Sequence, residues 1–214
     1  MADYYKHYKN CKNKYIKLRH QFGGSKKPIL LAFDFDQTIS KLSLPGEIIE
    51  IQHDLNHDKF ESSINTMIAK KDINNIMSDP FLDKNFIEYL RNNKNKNNVK
   101  IAIISYGVNS GIKILVNKLK LNDIFDEIIT PINFNLIDGI EYFDKFDGKN
   151  KIIELLQDKY GIPDSNVMLV DDHITNIKYA QRKYKTSYIP NNYGITEKNV
   201  NDIKQFIDNQ INNP

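Results

Sequence analysis

The stretch Ile29-Leu30-Leu31-Ala32-Phe33-Asp34-Phe35-Asp36-Gln37-Thr38 decides how the rest of the chain is read. Its first five residues are a short continuous apolar run, which predicts a strand buried on both faces. Two carboxylates follow at i and i+2, and at a strand end such residues point to the same side. Carboxylates that close repel each other unless a cation or a proton relieves them. A hard divalent ion with oxygen ligands does so, and Mg²⁺ is the usual one beside phosphate. The same loop fails as an EF-hand, because the sixth and twelfth positions, which need Gly and Glu, are Ile39 and Pro45.

Working outward, similar apolar runs occur at 99–104, 127–130 and 167–170, with a weaker fifth at 187–189. Helical stretches over about 81–93, 109–120, 149–160 and 173–184 separate them. Strands alternating with helices predict an α/β fold, a doubly wound, Rossmann-like parallel sheet covered on both faces. The core is expected over 29–214. Residues 40–80 break the alternation, with helical candidates at 47–52, 59–70 and 73–77, and are expected to form a small cap insertion over the C-terminal edge of the sheet. The tract 92–98, almost all Asn and Lys, is expected to be a flexible connection. Residues 131–148, rich in Phe and Asn, separate the third strand from the next helix.

Three further motifs stand at the ends of these runs. Ser105-Tyr106-Gly107 closes the second strand, where the Ser105 hydroxyl and nearby backbone N–H groups can hold phosphate oxygens and Gly107 allows close approach. Gly148-Lys149-Asn150-Lys151 opens a helix. A lysine there can neutralise the aspartates and a transferring phosphoryl group, with Lys149 favoured and Lys151 the alternate. Asp171-Asp172-His173-Ile174-Thr175-Asn176 follows the fourth run, and acidic residues from two strand ends can share one metal ion.

DxDxT, a Ser after the second strand, a Lys before a crossover helix and DDxxxN after the next strand resemble, in that order, the four motifs of the haloacid dehalogenase-like superfamily. The resemblance covers about residues 29–190. It implies a Mg²⁺-dependent phosphatase in which Asp34 is the nucleophile and Asp36 the general acid/base. Asp34, the Asp36 carbonyl and Asp172 would hold the metal, with Asp171 also a candidate. Ser105 and Lys149 would grip phosphoryl oxygens, with Tyr106 beside them. Thr38 would fix the loop, and Asn176 would orient the lysine or a metal-bound water. Members that cleave carbon–halogen bonds need no acid/base at the position of Asp36, so its presence points to phosphoryl transfer. The last motif is DDxxxN where GDxxxD is common, which leaves Asp171 and Asp172 both open as metal ligand.

Composition sets the remaining limits. The 214 residues are 40% hydrophobic and 27% charged with net charge +3, ordinary for a globular protein. No apolar run approaches the ~20 residues of a membrane span, and no signal-peptide core opens the chain. Cys11 is the single cysteine, which excludes an internal disulfide and suits a reducing, cytoplasmic compartment. Asn occurs 27 times and Ala five, the mark of an AT-rich genome rather than of structure. Residues 1–28 carry net +7 and the remainder −4, so a basic catalytic surface for nucleic acid is not indicated.

In that N-terminal segment Tyr4, Tyr8, Cys11, Tyr15, Leu18 and Phe22 recur at helical spacing and Gly23-Gly24 ends the pattern. It predicts a basic amphipathic helix that packs on the body or docks a partner. It also resembles the Lys/Tyr-rich openings of proteins from large DNA viruses. His53 and His57 stand at i, i+4, a zinc spacing, but with no third ligand a solvated face is expected. Asp138-Gly139 reads as a turn and His173 as a helix cap. The expected partner is a small phosphorylated substrate; the competing reading is a non-enzymatic protein that docks through residues 1–28.

Overall fold

The apolar runs become the strands β1 (Ile29–Phe33), β2 (Val99–Ile104), β3 (Glu127–Ile129), β4 (Val167–Asp171) and β5 (Lys185–Tyr188). They pair in the order β3-β2-β1-β4-β5, every pair parallel, as the alternation of strands and helices requires. This computed structural model describes residues 27–43, 66, 73–107, 109–130, 148–190 and 193–212. The predicted helix in 1–28, the cap candidates at 47–52 and 59–70, His53, His57 and Asp138-Gly139 lie outside the described residues. The helices are α1 (Ile73–Ile76), α2 (Lys84–Asn97), α3 (Asn109–Lys118), α4 (Asn150–Tyr160), α5 (Ile174–Ala180) and α6 (Glu197–Asn212). Among the described residues no helix is long and apolar enough to cross a membrane.

The continuous hydrophobicity of β1 follows from burial on both faces. Ile29, Leu31 and Phe33 join a cluster with Phe81, Phe86 and Phe206, while Leu30 and Ala32 meet Ile152, Leu156 and Ala180 on the other side. Each of the larger apolar side chains contributes roughly 1.5–3 kcal/mol by leaving water. Phe81 anchors the first face, with edge-on contacts to Phe33 and Phe86, both at 5.7 Å between ring centroids, and a stacked contact to Phe125 at 6.3 Å.

One expectation needs correction and one element is new. The tract 92–98 is no loose connection, because α2 runs to Asn97. Its polar residues find partners on the spot. Asn93 is buried and donates to the Tyr89 carbonyl, Asn97 donates to Asn93, and Lys94 reaches the carbonyls of Asp123 and Ile124. Asn98 then ends the helix in the left-handed region with φ 55°, a conformation Asn tolerates. The C-terminal helix α6 was not anticipated. Its apolar residues, Val200, Ile203, Phe206 and Ile207, are diluted by charge and Asn, yet they pack into the same cluster as Phe33.

The strand order places the site. Connections from β1 lead to β2 on one side and from β3 to β4 on the other, so the crevice at the C-terminal ends of β1 and β4 is the topological switch point where such sheets bind ligands. Phe33 pairs with Ile103 on β2 and Val170 on β4, which brings Asp34 level with Asp171. Ser40 bridges Met77 in antiparallel fashion, Lys41 N donates to the Ile76 carbonyl and Ser78 N to that of Ile39. Residues 39–41 and 76–78 are thereby pinned side by side at this edge.

Candidate active site

Asp34 closes β1 with its N–H donating to the Val170 carbonyl at 2.9 Å. The chain then makes one wide turn, Phe35–Ile39, closed by Ser40 N donating to the Phe35 carbonyl at 2.9 Å. Within it Asp36 is extended and Gln37 is left-handed with φ 57°, a conformation that costs a non-glycine residue about 1 kcal/mol or more. The gain is that the carboxylates of Asp34 and Asp36 both line one open cleft of about 510 Å³.

The other wall comes from α4, β4 and the start of α5. Lys149 precedes α4, following Gly148 at φ +54°, and its side chain is fully buried. Its ammonium lies 2.6 Å from Asp34 Oδ1 and 2.7 Å from Asp171 Oδ2. Of the two candidate lysines, Lys149 is therefore the one seated between the aspartates. Asp171, also fully buried, accepts from His173 N at 2.8 Å and from Asn176 Nδ2 at 3.2 and 3.1 Å. Asn176 thus acts on Asp171, and reaches the lysine only through it. Asp172 is half-buried, faces the cleft, and is met at 3.5 Å by the hydroxyl of the buried Thr38.

The electrostatics are unbalanced. Burial works against charge on Lys149, but Asp171 and Asp34 outweigh it and hold the ammonium above its ordinary range. Burial pushes Asp34 well above the ordinary carboxylate range, Lys149 opposes this, and Asp171 and Asp172 add to it. Asp172 is raised as well, by burial first and with Asp171 adding to it. Asp34, Asp171 and Asp172 each offer an oxygen, all within 4.8 Å of one another, against one ammonium. An all-oxygen donor set with surplus negative charge fits a hard divalent cation. Because Asp171 is already engaged by Lys149, Asn176 and the His173 amide, Asp34 and Asp172 are the better placed ligands.

The end of β2 completes the cleft. Ser105 is buried, accepts from Gly107 N at 3.0 Å, and its hydroxyl lies 3.5 Å from Asp36 Oδ2. A Cβ on Gly107 would stand 2.4 Å from that same carboxylate oxygen, so only glycine lets Asp36 sit where it does. Tyr106 is 49% exposed and its ring centroid is 5.7 Å from the Lys149 ammonium. Burial pushes its phenol up to about 12.

Several solved structures are similar to this chain in fold. The HAD domain of the effector protein Lem4 from Legionella pneumophila aligns over 87% of this chain and 97% of its own, with TM-score 0.53 and 16% identity. A substrate-bound phosphoserine phosphatase aligns over 85% of this chain and 99% of its own, with TM-score 0.51 and 18% identity. The chain has the haloacid dehalogenase-like fold. No family model and no curated protein matches it in sequence.

Within the haloacid dehalogenase-like fold, the nine residues that the four motifs put forward for the site fall on one edge. Asp34, Asp36, Ser105, Tyr106, Asp172 and Asn176 line the cleft, and Lys149 and Asp171 lie beneath it. Thr38, buried within the turn itself, directs its hydroxyl at Asp172. Sequence reading passed over Tyr179, which lines the cleft three residues after Asn176, and a helical period drawn from Asn176 would have found it. It also took His173 only as a cap. His173 does precede α5, without a side-chain capping bond, and it lines the cleft.

Proposed function

We propose that the chain is a Mg²⁺-dependent phosphomonoester hydrolase with Asp34 as nucleophile and Asp36 as general acid/base. The observation that carries this reading is the buried ion-pair cluster Asp34–Lys149–Asp171 opening onto a cleft that also presents Asp36 and Ser105. A Asp34 carboxylate at the mouth of the switch-point crevice is placed to attack a phosphorus atom in line. The P–O bond to the leaving group breaks as an aspartyl-phosphate forms, and Asp36 gives its proton to the departing oxygen. Water then attacks the phosphorus, Asp36 takes the proton of that water, and inorganic phosphate leaves with Asp34 restored. Lys149 stabilises charge on the phosphoryl oxygens, Asp171 and Asn176 hold the lysine in place, and the Ser105 hydroxyl, oriented by the Gly107 N–H that donates to it, contributes a donor. Mg²⁺ held by Asp34, Asp172 and the Asp36 carbonyl would neutralise the nucleophile's surroundings and the phosphoryl group.

The phosphoserine phosphatase neighbour supports phosphate as substrate class, and the two carboxylates of the Asp34 turn support hydrolysis. The docking alternative rests on residues 1–28, and no observation on the described residues favours it. Hydrolysis of an aryl phosphate and of a panel of phosphometabolites, with Mg²⁺ and with chelator, tests the reading. Metal-dependent turnover that Asp34→Asn abolishes is expected. Silence of the wild-type protein across the panel, together with no Mg²⁺ binding, overturns it.

A further inference from the structure

The turn that carries Asp36 is held from behind by a segment outside all four sequence motifs. Gly194 N donates to the Gln37 carbonyl at 3.2 Å and Ile195 N to the Thr38 carbonyl at 2.9 Å. Gly194 is left-handed at φ +79°, and a Cβ there would stand 2.7 Å from Ser78 Cβ and 3.1 Å from the Thr38 carbonyl oxygen. The segment therefore lies flush against both the turn and Ser78, which follows the Ser40–Met77 bridge, with no room for a side chain at 194.

Its own position is fixed by β5 and α6. Ile195 is buried, and Asn199 accepts from the N–H and hydroxyl of Thr196 while donating to Ser187 Oγ and the Tyr188 carbonyl. Gln37 holds an unfavourable backbone conformation, which persists only where surroundings over-determine it. Residues 194 and 195 supply two of the bonds that do so. On its far side the Asp36 carboxylate is bounded by Gly107, where even a Cβ would collide. Asp36 is thus confined between β2 and a turn whose carbonyls are pinned from the C-terminal side.

We infer that Gly194 and the segment it opens are positioning residues for the proton transfers of Asp36. The inference rests on the phosphatase reading above. Its signature is leaving-group dependence, because a nitrophenolate departs without a proton whereas an alkoxide requires one. With Mg²⁺ saturating, Gly194→Ala is expected to lower kcat/KM for an alkyl phosphate about tenfold or more while leaving that for 4-nitrophenyl phosphate within about twofold. A burst of nitrophenol should accompany this, since hydrolysis of the aspartyl-phosphate also needs Asp36. Adding Ser78→Gly, which removes the nearest colliding atom, should restore part of the alkyl activity. Equal losses on both substrates, or none, in a variant that melts cooperatively overturn the inference and leave the phosphatase reading intact. If Gly194→Ala does not fold, Asn199→Ala loosens the anchor without adding a collision and must show the same split; a parallel loss there overturns it. A wild-type protein silent on both esters removes the phosphatase reading and this inference together.

Discussion

Lys149 is one buried ammonium among three carboxylates, and its loss should be felt as stability before it is felt as rate. Removing one partner of a buried ion pair costs about 3–5 kcal/mol because it strands the other charge. Lys149→Met is expected to lower unfolding free energy by that amount in urea titrations of metal-free protein. Asp34→Asn, which removes surplus negative charge, should cost far less under the same conditions. The raised Asp34 and Asp172 also fix the sign of a pH effect. The folded protein binds protons that the unfolded chain has already released, so their contribution is complete below the ordinary carboxylate range and is lost as pH rises through the folded-state values. Melting temperature in chelator should therefore fall as pH rises above the ordinary carboxylate range, relative to the Asp34→Asn variant, and Mg²⁺ should abolish the difference. Asp34, Asp36 and Thr38 were legible because they adjoin one strand end. Whether Asp171 or Asp172 faces the cleft was not, since that depends on the β1–β4 register and on which oxygens Asn176 and Lys149 occupy. Gly107 and Gly194 matter through contacts with residues far along the chain, which local pattern does not carry.

At the scale of elements, β1, β2 and β4 were readable because strands buried on both faces leave unbroken apolar runs. β5 carries a weaker run, Lys185–Tyr188, exposed at both ends with only Ser187 buried, and the sequence pattern starts it two residues late. α2 was cut short where Asn and Lys replace apolar residues, although its tail is secured by side-chain bonds that pattern cannot show. α6 was missed for the same reason, yet it closes the Phe33 face and anchors the segment behind the Asp36 turn. Phe206, nearly buried in that face, makes this testable. Phe206→Ala is expected to cost about 3 kcal/mol in chemical denaturation, the usual toll of emptying an aromatic site in a core.

Over the whole molecule, the order β3-β2-β1-β4-β5 brings motifs from residues 34, 105, 149 and 171 to one crevice although more than a hundred residues separate the first from the last. Each strand pairing fixes the height of one motif, and the switch of direction between β1 and β4 opens the gap in which they meet. Metal binding should report this assembly directly. Mg²⁺ is expected to raise the melting temperature of the wild-type protein, and Asp172→Asn to weaken its calorimetric affinity about tenfold or more, at least the cost of losing a partner that only supports a ligand. A phosphatase of the proposed kind carries a phosphoryl group on Asp34 during turnover. Acid quench of the Asp36→Asn variant during reaction with 4-nitrophenyl phosphate and Mg²⁺, followed by peptide mass spectrometry, reads that intermediate. One added phosphoryl group on the peptide bearing Asp34 is expected. Nitrophenol release with that peptide unmodified, or with the phosphoryl group on another residue, rules out Asp34 as the nucleophile.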